Sequence, residues 1–224
     1  MRRFLAFLLC LSLLPLPVRG DSGVRYAALT FDDGPSGRFT RALLDGLAER
    51  DAKATFFLCG YRLKQDPALG ARIYEEGHEI GLHGYSHDSF CDMTAAQITQ
   101  ELRDTAALLP EGCRPIFLRA PGGLCGKGVT EAAKRDGLAI LDWSVDPQDW
   151  ATRDREKIVS HVTERTKDGD VILLHDMSDS SVAAALEIVD ILSRQGFRFV
   201  TVTELVRLRE ENLVPGRAYR RFRP

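Results

Sequence analysis

Short apolar or β-branched runs recur along the chain with amphipathic stretches between them. Tyr26–Phe31, Ala54–Leu58, Glu79–Leu82, Ile116–Leu118, Leu138–Leu141, Val171–Leu174 and Phe197–Val200 read as strands. Phe39–Arg50, Pro67–Glu76, Thr94–Leu109, Val129–Arg135, Arg155–Lys167, Val182–Gln195 and Glu204–Glu211 carry the spacing of helices packed on one face. Strand and helix alternating in this way predict parallel strands joined by helical crossovers. An open doubly wound sheet and a barrel share that alternation, so the pattern alone leaves both open.

Polar residues at the strand ends narrow the choice. Asp32 and Asp33 follow the first strand, His83 the third, Arg119 the fourth, Asp146 and Asp149 the fifth and His175 the sixth. Side chains gathered from so many strand ends at one face are how barrel enzymes build their sites. An open sheet would collect them at a single crevice. The expectation is a barrel.

The first twenty residues stand apart from this pattern. Arg2 and Arg3 precede the apolar run Phe4–Leu16, and Pro15, Pro17 and Gly20 close it. A charged start, a short apolar stretch and a small residue make a secretory signal, with cleavage expected after Gly20. The run is shorter than the roughly 20 residues a spanning helix needs, which argues against a permanent anchor. Cys10 lacks the small neighbour expected before a lipid-modified cysteine. Without residues 1–20 the chain has 27 basic and 32 acidic side chains.

At 224 residues the whole is one domain plus a leader. No clustered basic face marks a nucleic-acid partner. Cys59, Cys91, Cys113 and Cys125 remain in an exported chain, where up to two disulfides are possible. None has the C-x-x-C spacing of a zinc site. Cys91 with Cys125 is the favoured pair, and Cys59 reads as a buried free thiol. The tail Arg217–Arg223 is basic with interleaved aromatics. It is expected to be solvated and disordered, with attachment to an anionic wall or membrane surface as the second reading.

Thr30–Pro35 sets two adjacent carboxylates after a strand and pins them with a Gly-Pro turn. Adjacent strand residues point apart, so one can hold a metal while the other handles a proton. In His83–His87 the two imidazoles are four apart, a spacing that brings both to one side of a helical turn. With Asp33 they make a two-His, one-Asp set with positions left open, as a catalytic ion requires. Taken alone, each motif has a duller reading: a solvated Asp-Gly turn, two unrelated surface histidines. His78 reads as a structural residue and His161 as a solvated one.

Thr30–Pro35, His83–His87, Arg119–Gly123, Asp146–Trp150 and Leu173–His175 occur in one order. Together they resemble the five motifs of the polysaccharide deacetylases, the NodB homology domain of carbohydrate esterase family 4. The resemblance spans about residues 24–206. It implies an α/β fold, a distorted (β/α)7 barrel, over a catalytic domain of residues 21–206, followed by a basic tail of residues 207–224.

It also implies a metal-dependent N-deacetylase of N-acetylglucosamine polymers. Asp33, His83 and His87 match the metal ligands, with zinc the expected ion and cobalt, nickel or manganese as alternatives. Asp32 matches the general base, Arg119 its partner, His175 the general acid and Asp149 the carboxylate bonded to that histidine. Gly122 matches the donor of an oxyanion-binding N–H, and Trp150 and Leu173 the walls around the acetyl methyl. Duller alternatives are a surface cation at Arg119, a core aromatic at Trp150 and a helix cap at Asp149. Gly122 departs from the family pattern, which carries an aromatic there.

The expected protein is therefore a monomeric, exported or wall-associated deacetylase without stable membrane insertion. Peptidoglycan is the leading substrate, chitin or a chitooligosaccharide the alternative. A silent glycan-binding protein on the same fold would be expected to lack a base or a ligand, and none is missing. A small cyclic amide as substrate fits poorly with export.

Overall fold

The computed structural model describes residues 23–123 and 126–223. The leader expected at residues 1–20 lies outside them. In chain order the elements are β1 (Arg25–Asp32), α1 (Arg38–Ala48), β2 (Ala54–Leu58), α2 (Gly60–Gln65), α3 (Pro67–Glu75), β3 (Glu79–Leu82), a 3-10 turn (Phe90–Asp92), α4 (Ala95–Ala106), β4 (Phe117–Leu118), α5 (Gly126–Arg135) and β5 (Ala139–Leu141). There follow α6 (Asp149–Thr152), α7 (Arg155–Arg165), β6 (Val171–His175), α8 (Asp179–Arg194), β7 (Phe197–Phe199), α9 (Val202–Leu208) and β8 (Ala218–Tyr219).

The strands form one parallel sheet in the order β6-β1-β2-β3-β4-β5-β8, with β7 also pairing β1. This is a distorted, incompletely closed α/β barrel. A single parallel bridge from Val145 to Ile172 and an antiparallel one from Asp170 to Arg221 span the gap between the two ends. Parallel strands covered on both faces read as continuous apolar runs. Ala27 to Asp32 of β1 and all of β2 are accordingly buried.

Helix starts follow local chemistry. Thr94 with Gln97 and Thr201 with Glu204 form capping boxes that open α4 and α9, and Asp66 and Asp154 cap α3 and α7. Asp154, rather than Asp149, is thus the cap preceding the Arg155 helix.

The tail overturns its expectation. Rather than being solvated, it supplies β8, which pairs with β5, and it buries Tyr219 and Phe222. Arg220 lies 3.4 Å from Asp142, and Arg221 and Arg223 lie 3.9 and 3.7 Å from the buried Asp170. Three of the four arginines in Arg217–Arg223 therefore face acids of the fold. Gly169 lets the tail approach: a Cβ there would sit 1.9 Å from the Phe222 carbonyl oxygen. The folded unit continues past residue 206. Among the described residues no helix is long and apolar enough to cross a membrane.

Candidate active site

The parallel registers bring the polar strand ends together. Asp32 pairs with His175 across the β1–β6 ladder. The His83 N–H donates to the Leu58 carbonyl at the end of β2 (3.1 Å), and the Arg119 N–H donates to that of Leu82 at the end of β3 (2.9 Å). Each ladder bond continues one residue past its strand, so the next side chain emerges at the same rim.

That rim encloses a cavity of about 380 Å³. Asp32, Asp33, His83, His87, Gly122, Trp150, Leu173 and His175 all line it. Arg119 and Asp149, the other two residues expected at the site, are wholly buried behind it. Neither is the surface cation or the helix cap of the duller readings. Trp150 is 61% exposed, a rim residue rather than a core aromatic.

Asp33 Oδ1 lies 3.2 Å from His83 Nε2 and 2.8 Å from His87 Nε2. Close as these contacts are, that buried oxygen accepts no properly aligned hydrogen bond. His83 Nδ1 is 2.8 Å from the Arg119 carbonyl oxygen, which can only accept. Its N–H is thereby committed and its Nε2 lone pair is left for the cluster. One atom from each of the three residues falls within 4.8 Å of the other two. An orphaned carboxylate oxygen facing two imidazole nitrogens fits a divalent ion.

The two histidines do not converge through a helical turn, as their spacing suggested. Residues 83–89 are a loop in which Gly84 and His87 both have positive φ (81° and 68°). Asp33 also sits in the left-handed region, at φ 70°. Side chains rarely hold that conformation unless their surroundings enforce it.

Arg119 fixes Asp32. Its Nη1 donates to Asp32 Oδ1 (2.6 Å) and Thr30 Oγ1 (2.8 Å), while Nε and Nη2 donate to the Leu141 and Asp142 carbonyls. The guanidinium also lies over the Phe57 ring at 4.1 Å. A cation so enclosed cannot swing away from its carboxylate. On the other side, Asp149 grips His175 twice, at Nδ1 (2.8 Å) and at the backbone N–H (2.9 Å).

Residues 19–141 match the family profile for polysaccharide deacetylases. A peptidoglycan-N-acetylglucosamine deacetylase of Bacillus cereus is 39% identical over 186 residues, covering 80% of this chain and 87% of that protein. The chain belongs to the polysaccharide deacetylase family. Like its N-deacetylase relatives, it is a hydrolase of carbon–nitrogen amide bonds. A chitooligosaccharide deacetylase of Bradyrhizobium is 33% identical, over 83% of this chain and 93% of that one. A family 4 acetyl xylan esterase from Clostridium thermocellum, solved with a cobalt ion, superposes with a TM-score of 0.82 at 31% identity, over 88% of this chain and 98% of that one. Other curated wall deacetylases are longer, and the chain spans 40–42% of their length.

In this family member the site's charges hold the two sides in different states. Burial pushes the Asp33 carboxyl up, but the facing imidazoles of His83 and His87 outweigh it and hold it well below the usual carboxylate range. Burial works against the His175 imidazolium, yet the bond and charge of Asp149, with Asp32 and Asp33 behind it, raise its pKa to about 9.

Several contributors carried no sequence signal. Glu101, on α4, uses Oε2 to accept the Tyr85 and Ser86 N–H groups (2.7 and 2.8 Å) and the Ser86 hydroxyl (3.0 Å). It thereby pins the loop between the two histidines. Trp143 lines the cavity, and its ring lies 5.6 Å from Arg119. Asp176, fully buried, bonds to Thr40 behind the Asp33 turn. Gly122 has φ 74° and open space where a Cβ would be, so its backbone rather than crowding disfavours an aromatic.

Cys59 and Cys113 are free and buried. Cys91 is disulfide-bonded. Cys125, its expected partner, lies outside the described residues. His78 is buried, its Nδ1 accepting the Ala54 N–H, and burial with nearby Lys53 and Arg72 lowers its pKa to about 4. It belongs to the frame, as its position before β3 suggested.

Proposed function

We propose that this chain is an exported, metal-dependent N-deacetylase, a monomer that removes acetyl groups from N-acetylglucosamine residues of peptidoglycan and releases acetate. The observation that carries the reading is an arginine-held carboxylate, Asp32, facing a carboxylate-held imidazole, His175, across one cavity that also contains Asp33, His83 and His87. Amide hydrolysis calls for a base toward the attacking water and an acid toward the departing nitrogen, and here two separate residues can supply them.

Asp33, His83 and His87 would hold a divalent ion, with zinc favoured by the nitrogen and carboxylate donors. When bound, it supplies Lewis acidity toward the acetamide carbonyl and makes water acidic enough to attack near neutral pH. Asp32 takes a proton from the attacking water as the carbon–oxygen bond forms. Arg119 fixes Asp32 in direction through the 2.6 Å contact at Oδ1. The Gly122 N–H is the backbone donor at the cavity wall for the developing oxyanion, a contact worth about 3–4 kcal/mol when aligned. His175 gives its proton to the nitrogen as the carbon–nitrogen bond breaks, so the sugar leaves as an amine. Leu173 and Trp150 enclose the acetyl methyl.

The similarity to wall deacetylases favours peptidoglycan, and residues 1–20 would deliver the protein to it. A chitooligosaccharide is the second reading, supported by the Bradyrhizobium relative. Acetate release from defined peptidoglycan and chitooligosaccharide substrates decides between them. No release from either, with metal bound, rejects the deacetylase.

A further inference from the structure

A second cavity, of about 360 Å³, is built partly from the chain segments that follow the first. Pro35 and Met177 line it, two residues beyond Asp33 and His175, so the two hollows share the segments that carry the site.

Its lining has an unbalanced charge. Asp66 is already engaged: it accepts the Leu69 N–H at 3.1 Å and pairs with Arg41 at 2.5 Å. Arg62 is not. Its Nε donates to the Tyr61 hydroxyl (2.8 Å), and among the described residues no carboxylate forms an ion pair with it. Asp176, behind the wall, feels Arg62 only through space and bonds to Thr40 instead. Beside this guanidinium lie the apolar surfaces of Pro35, Phe39 and Met177, the last 38% exposed.

A guanidinium not matched by an acid suits a carboxylate, and apolar walls suit a small alkyl group next to it. The lactyl ether on alternate sugars of a wall glycan has that form where it carries no stem peptide, a carboxylate beside a methyl, and a stem peptide carries carboxylates of its own. Chitin carries neither. Resting on the wall-glycan reading above, we propose that this cavity is a subsite for a carboxylate-bearing substituent on the sugar adjoining the one deacetylated. Arg62 is then a specificity-determining residue that selects wall glycan over neutral polymer.

The test compares Arg62→Gln and Arg62→Lys with the unsubstituted protein on three oligomers of equal length. These are wall glycan stripped to free lactyl carboxylates, wall glycan retaining its stem peptides, and a chitooligosaccharide. R62Q should lower the kcat/KM ratio of a wall glycan to chitooligosaccharide about tenfold, or about 1.4 kcal/mol, chiefly through KM. R62K should recover part of it. Loss on the stripped glycan places the lactyl carboxylate at Arg62, and loss only on the other places a stem carboxylate there. An unchanged ratio on both overturns the subsite. Calorimetric binding of the same oligomers reads the subsite without turnover. Absent acetate release with Arg62-dependent binding would reject the deacetylase and leave the subsite standing, whereas Arg62-independent binding would reject the subsite.

Discussion

Asp32 and His175 are register partners on adjacent parallel strands, so the strand pairing that builds the sheet also sets the separation of the proposed base and acid. Neither residue relies on a long flexible loop. Each is held by a buried partner, Arg119 on one side and Asp149 on the other. Preorganisation of this kind makes the two halves of the site separable by substitution.

Asp32→Asn and Asp33→Asn should behave differently although the residues are neighbours. Asp33→Asn removes a converging ligand atom and should lose bound metal and activity together. Asp32→Asn should retain metal while activity falls about 10²- to 10⁴-fold, the usual contribution of a general base. Metal content by elemental analysis beside acetate release checks both. Equal metal loss in the two variants would merge the roles assigned to them.

The raised pKa of His175 predicts an alkaline limit. With the imidazolium kept to about pH 9, the acid stays loaded through neutral pH and activity should fall as pH rises through that value. Asp149→Asn removes the neighbouring charge and should move the alkaline limb down. Its pH–rate profile with kcat/KM is the measurement. The same linkage affects stability: His175 binds its proton more tightly folded than unfolded. Its contribution is complete below about pH 6.5, the unperturbed histidine value, and is lost as pH rises through about 9.

Arg119→Ala should destabilise the fold as well as disable the base. It leaves the Asp32 carboxylate buried without its cation and strands the Thr30, Leu141 and Asp142 acceptors. Breaking a buried pair in this way costs about 3–5 kcal/mol. Denaturant unfolding monitored by circular dichroism should show a lower midpoint. An unshifted midpoint would mean that Arg119 is dispensable to the frame.

Glu101→Ala should weaken metal binding without touching a ligand. Glu101 holds the Tyr85–Ser86 loop, and with it the left-handed backbone of His87. Supporting contacts around metal ligands are typically worth about 10- to 100-fold in affinity. Competition with a chelator of known affinity measures the change.

The strands and the five motifs were legible because buried parallel strands are continuous apolar runs and the site residues follow them directly. β8 was not. A two-residue strand in a basic tail has no local signature, and its pairing with β5 and its arginines' contacts with Asp142 and Asp170 are tertiary facts. Glu101 reads as one more polar position on an amphipathic helix until the loop it holds is seen. The His83–His87 spacing pointed to the right pair for the wrong local reason, since positive-φ backbone rather than a helical turn joins them. α2 escaped notice because Cys59 precedes it and provides no side-chain cap.

The most direct test is acetate release from defined N-acetylglucosamine-containing wall fragments by protein lacking residues 1–20, before chelation, after it, and after zinc is restored. The account predicts release that chelation abolishes and zinc recovers. Release that is indifferent to the chelator, or no release from protein shown to contain metal, would contradict it.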